Sequence, residues 1–121
     1  TIDWKKSLGA EWRQYEKIFP ALAKSNIGQV SVECIHSHVP LHVLSLLDGK
    51  DVLVGVIDVA TDKVETLEEI VGVIDEVMRH VPRDHIVACT NCGMAPMRRG
   101  IAEAKLVALG AGTKLAREKF G

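Results

Sequence analysis

"DVLVGVID", residues 51–58, places five aliphatic residues and a glycine in an unbroken row between two aspartates. A strand with one solvated face alternates apolar and polar side chains. This one does not alternate, which is how a strand covered on both faces reads, and such strands belong to parallel sheets flanked by helices. Two further runs resemble it. "GQVSVEC" (28–34) is an earlier β-branched segment read as a buried strand, and "HIVACTNC" (85–92) is a later one.

The segments between these runs have helical signatures. "PLHVLSLLDGK" (40–50) opens with Pro40 at a first helical position and closes at Gly49, which predicts a short helix. Thr66 with Glu69 forms a capping box, and Ile70, Val73, Ile74, Val77 and Met78 follow at helical spacing up to Pro82. From about Pro96, the residues Ile101, Ala102, Leu106, Leu109 and Leu115 mark a last helix ending near Phe120, with Gly110 and Gly112 weakening its middle. Upstream, "GAEWRQYEKIFPALAKSN" (9–26) carries Trp12, Tyr15, Phe19, Leu22 and Ala23 on one helical face, with Pro20 as an interior flaw and Ser25-Asn26 as a stop.

A helix followed by three β-α units predicts the α/β class with a parallel sheet and helical crossovers. Such a sheet is either open and doubly wound or part of a (β/α)8 barrel. A full barrel takes about 250 residues, so 121 residues supply less than half of one. Three strands alone cover a parallel sheet poorly, and the exposed edges invite a partner, which makes a homo-oligomer one expectation.

The composition, 47% hydrophobic and 26% charged, is that of a cored globular protein. Fifteen Lys and Arg against sixteen Asp and Glu are scattered along the chain, so neither nucleic acid nor a membrane surface is expected as a partner. No apolar run approaches the roughly 20 residues of a membrane span. No secretory signal is read at the N-terminus, and three cysteines without one fit reduced thiols in a cytoplasmic protein.

Ligands of parallel α/β folds gather at the carboxyl ends of the strands. There the first run offers Glu33 and Cys34, with His36 and His38 close behind; the second offers Asp58; the third offers Cys89 and Cys92. Carboxylate, imidazole and thiolate are the ligand types of zinc. Each has a plainer reading. A lone C-x-x-C is a weak signal, and cysteines at a strand end are more often packed thiols than ligands. The pair fits a thioredoxin-like redox site only loosely. Because a strand alternates faces, Cys89 and Cys92 share a site only if the strand ends between them. Glu33 at the end of an apolar strand is costly to bury unpaired and calls for a cation or hydrogen-bond partner, by salt bridge or by metal. His36 and His38 read as solvated or outer residues of such a site, and His42, His80 and His85 as surface residues. Asp58 is either a substrate contact or a cap of the loop before Thr66.

The stretch "VLVGVIDVATDKVETLEEI" (52–70) followed by "CTNCGM" (89–94) resembles the catalytic C-terminal barrel of cobalamin-independent methionine synthases and their shorter single-barrel relatives. The resemblance implies a single fragment, residues 1–121, forming the C-terminal portion of a zinc-dependent (β/α)8 methyltransferase barrel. It implies methyl transfer from a methylated folate or corrinoid to the thiolate of homocysteine. Carried over by residue, it makes Glu33 and Cys92 zinc ligands and Asp58 a catalytic residue, while Cys89 is structural. Two departures stand out. The family's His-x-Cys ligand pair is absent and would fall shortly before "DWKKSLGAEW" (3–12); Ala60 stands where many members have a histidine. The isolated fragment is therefore expected to be inactive. The alternatives are a non-catalytic α/β module that oligomerises, or a zinc thiol alkyltransferase with another acceptor such as coenzyme M.

Overall fold

The computed structural model describes residues 15–35 and 40–121. Trp12, His36 and His38 lie outside the described residues. Helix α1 (Tyr15–Lys24) leads into strand β1 (Gln29–Glu33), a 3-10 helix (Leu41–Leu46), strand β2 (Asp51–Ile57), helix α2 (Leu67–Val77), a 3-10 turn (Arg83–His85), strand β3 (Ile86–Thr90) and helix α3 (Arg99–Phe120). The three strands form one parallel sheet in the order β1-β2-β3. The α/β class and the parallel sheet expected from "DVLVGVID" are what is found.

The local signals act as their chemistry dictates. The Thr66 hydroxyl accepts from the Glu69 N–H at 3.1 Å, meeting one of the donors that open a helix without a partner. Pro40 stands just before the 3-10 helix, at its cap, and Gly49 closes the segment at φ +78°, a conformation that favours glycine. α1 continues through Pro20 and buries Phe19, against which the Tyr15 ring packs at 5.6 Å.

Val52, Val54, Val56 and Ile57 on β2 are wholly buried, and Val32 on β1 joins them under Ile70, Val71, Ile74 and Val77 of α2. The outer strands differ from β2. On β1 only Val32 is fully buried, while Gln29, Ser31 and Glu33 are exposed, so this strand, read as buried, is covered on one face only. On β3, Ile86 and Ala88 pack on the core and Val87 is 44% exposed.

The last helix keeps part of the expected face, since Leu109 and Leu115 pack on the core, and shifts the rest. Leu106 and Val107 point to solvent, and the buried stripe is Lys105, Ala108, Gly112 and Ala116. Small residues on this stripe bring α3 close to α2. A Cβ on Gly112 would stand 2.8–2.9 Å from three side-chain carbons of Ile70, so the glycine read as a weakness is what the close approach requires.

Candidate functional site at the carboxyl ends of the strands

The strand register decides which side chains share a face. Val30, Val52 and Ile86 align in one row, as do Val32, Val54 and Ala88, and these rows face the helices. The intervening row, Ser31, Leu53 and Val87, lies on the other face, and so does the next row toward the carboxyl end, which joins Glu33, Gly55 and Cys89. Glu33, expected at a buried strand end, is exposed and has an interaction partner. Cys89 hydrogen-bonds the Ser31 side chain from this same open face, and burial raises its thiol pKa despite that bond. Burial pushes the neighbouring Cys34 thiol up to about 11, against the opposing effect of a hydrogen bond from the Gly55 backbone. Cys34 and Cys89 are thus held as neutral thiols, whereas Cys92, beyond the strand, is exposed.

β2 contains an irregularity that positions Asp58. Gly55 pairs with Cys89 but Ile57 pairs with Thr90, so two residues on β2 oppose one on β3. The alternation reverses there, and Asp58 leaves the strand with the parity of Gly55 rather than that of Val52 and Val54. It is buried to 7% exposure, and its Oδ1 accepts from the Ala60 N–H at 2.8 Å.

Around Asp58 lies a buried ion pair that the sequence did not announce. Lys105 of α3 is fully buried, and its Nζ donates to Glu65 Oε1 at 2.8 Å, to the Asp58 carbonyl at 2.9 Å and to the Lys63 carbonyl at 2.6 Å. Glu65 Oε2 accepts from the Asp58 N–H at 2.7 Å. Both backbone groups of Asp58 are therefore held by one Glu65–Lys105 pair, satisfied on all sides as a buried charge must be. The only available signal was a lysine on the helix face between Ile101 and Ala108.

Zinc, which the resemblance implies, takes carboxylate, imidazole and thiolate donors. Glu33 and Cys92 are of the right chemical type and both stand at carboxyl ends of strands. Among the described residues, however, no three His, Cys, Asp or Glu side chains come together closely enough to hold a metal. Glu33 and Cys92 match zinc in donor chemistry alone, and a complete site needs further donors. A cavity of about 310 Å³ lies at the opposite end of the sheet, lined by Arg83, Ile86, Ala88, Thr113, Arg117 and Phe120 among others.

Residues 12–114 match the family model described as the catalytic domain of cobalamin-independent synthase. The chain belongs to this family. It is 31% identical over 108 residues to the methionine synthase of Saccharolobus solfataricus, an alignment covering 88% of this chain and 32% of that protein. It is 39% identical over 83 residues to the 2-hydroxypropyl-CoM lyase of Xanthobacter autotrophicus, covering 66% and 22%. The solved structure of a B12-independent methionine synthase from Shewanella sp. W3-18-1, in complex with selenomethionine, superposes with a TM-score of 0.88 at 50% identity. That match covers 98% of this chain and 35% of the other. The chain thus spans about a third of the methionine synthases it matches, and its three β-α units are a portion of the (β/α)8 architecture expected. Among the described residues no helix is long and apolar enough to cross a membrane.

Proposed function

We propose that the protein carrying these residues is a zinc-dependent methyltransferase that makes methionine from homocysteine and a methylated folate or corrinoid. Residues 1–121 contribute the C-terminal part of its barrel. The observation that carries this reading is the 50% identity and 0.88 TM-score shared with a methionine synthase solved with selenomethionine, the selenium analogue of the methylated product.

In this reading Glu33 and Cys92 supply two protein ligands of the zinc, one from the end of β1 and one just past β3. When bound, zinc would supply a Lewis acid that lowers the acceptor thiol's pKa, so that the proton is released to solvent near neutral pH, where a free thiol of pKa about 8.5 is mostly protonated. The chain's own residues orient the reactants. The Asp58 carboxylate, fixed by the Ala60 N–H on a backbone clamped at both its N–H and C=O, is an immobile acceptor for an N–H group of the substrate. An acceptor preorganised in this way loses little freedom when substrate binds. The neutral Cys34 and Cys89 thiols leave the nucleophilic role to the substrate's sulfur.

A second acceptor is favoured by one specific observation, the 39% identity to a 2-hydroxypropyl-CoM lyase. A thiol alkyltransferase acting on coenzyme M would use the same metal ligands with a different pocket. The deciding experiment incubates the intact protein with methylated folate or methylated corrinoid and with either homocysteine or coenzyme M, reading the products by mass spectrometry. Methionine formation, lost in Asp58→Asn, supports the proposal. Methyl-coenzyme M alone moves the assignment to the second reading, and no product from any pairing overturns both.

A further inference from the structure

Between the two residues assigned to zinc, one residue just past β3 bonds to the segments at the ends of both β2 and β1. Asn91 sits immediately before Cys92, and its backbone N–H donates to the Ile57 carbonyl at the end of β2 at 2.9 Å. Its side chain continues in the same direction, and Nδ2 donates to the carbonyl of Ile35 at 2.8 Å, two residues beyond Glu33. A carbonyl only accepts, so this contact fixes which end of the carboxamide faces β1. The other end, Oδ1, lies directly over Gly55 and is, among the described residues, a buried side-chain oxygen without a hydrogen-bond partner.

The path across β2 exists because residue 55 has no side chain. A Cβ there would collide with Asn91 Oδ1 and stand 2.9 Å from the Asn91 Cα. Gly55 is also the middle member of the row Glu33, Gly55, Cys89, so the strut passes over the face that carries Glu33. Leaving Oδ1 buried and unpartnered costs about 1–3 kcal/mol, a cost that an apolar residue at position 91 would avoid.

We propose that Asn91 is a positioning residue that sets the separation of Glu33 and Cys92, holding the exits of β1 and β3 at the spacing that a shared zinc ion requires. It acts on the metal only through those two residues, with Gly55 as the gap through which it reaches. The proposal rests on the assignment of Glu33 and Cys92 as ligands. Partners that orient metal ligands typically change affinity by about 10–100-fold when removed, which sets the scale of the expected effect.

The test measures the zinc dissociation constant of the intact protein by competition with a chromophoric chelator, beside the unfolding midpoint of the metal-free form. Asn91→Leu keeps the volume over Gly55 but cannot donate to Ile35; Asn91→Ala removes the strut; Gly55→Ala displaces it from below. The expected result is zinc binding weakened about 10–100-fold in all variants that fold, with the metal-free midpoint of Asn91→Leu close to wild type. Zinc affinity within about threefold of wild type in Asn91→Leu and Gly55→Ala overturns the proposal. Cys92→Ser separates the two levels of argument. If it binds zinc as tightly as wild type, or if wild type binds none, the ligand assignment fails and the strut's role fails with it. If Cys92→Ser abolishes binding while the Asn91 variants do not weaken it, only the strut's role fails.

Discussion

Replacing Lys105 by methionine keeps most of the side chain's length and removes the ammonium group on which three acceptors converge. The carbonyls of Asp58 and Lys63 lose their donor, and Glu65, whose side chain is 7% exposed, keeps its charge with only the Asp58 N–H for company. Breaking one side of a buried, hydrogen-bonded pair costs about 3–5 kcal/mol because the surviving charge is left uncompensated. Methionine fits the same apolar channel and returns little of this, since α3 already buries that stem. In urea, with a slope of about 2 kcal/mol/M, the unfolding midpoint of Lys105→Met falls by roughly 2 M. The second arm is Lys105→Met with Glu65→Gln. The neutral amide still accepts from the Asp58 N–H and presents its own N–H toward the orphaned carbonyls, so the double variant recovers at least about 1 kcal/mol relative to Lys105→Met. The assay is equilibrium denaturation followed by circular dichroism. A Lys105→Met midpoint within about 0.5 M of wild type, or a double variant less stable than the single one, refutes the argument that the pair is held by mutual compensation.

Three further outcomes follow from the same geometry. Gly112→Ala forces a methyl group against Ile70 and destabilises by about 1–3 kcal/mol despite the better helix former, whereas Gly110→Ala meets open space and stabilises by up to about 1 kcal/mol; thermal unfolding of both ranks them. The hydrogen bond to Asp51, helped by the nearby Asp84 and Asp48 carboxylates, holds the His85 imidazolium above its usual pKa. Because the folded-state pKa is raised, that stabilisation is fully present below the unfolded pKa of about 6.5 and is lost as pH rises through the folded value. The difference in melting temperature between wild type and His85→Gln should therefore be largest near pH 5.5 and shrink toward pH 8. In metal-free protein at pH 8, iodoacetamide should modify the exposed Cys92 first and Cys34 last, read by peptide mass spectrometry, because burial holds the Cys34 thiol at a pKa of about 11.

The fold was legible where a single physical signal dominated. The unbroken apolar run of β2 required cover on both faces and hence a parallel sheet, and the Thr66–Glu69 pair marked the start of α2 because caps are set by local hydrogen bonding. What stayed hidden depends on contacts between distant segments. A charged residue is read as solvated, so nothing in "IAEAKLVAL" (101–109) distinguishes Lys105, which is buried because Glu65 waits 40 residues earlier. The face of α3 is shifted for the same reason: Leu106 and Val107 are exposed, and Lys105 with the small residues Ala108, Gly112 and Ala116 forms the buried stripe. The bulge that turns Asp58 is silent because every residue around it is apolar. Asn91 counted only as spacing between two cysteines, although its side chain reaches Ile35, 56 residues away. Glu33, Asp58 and Cys92 were marked out by strand-end position and family resemblance, and the structure sets all three at the carboxyl end of the sheet.

Zinc ligation by Cys92 and Glu33 is open to X-ray absorption at the zinc edge on the intact protein. The expected spectrum has a shell of sulfur near 2.3 Å beside nitrogen or oxygen near 2.0–2.2 Å, with the sulfur count falling by one in Cys92→Ser. An unchanged sulfur shell in that variant would contradict it.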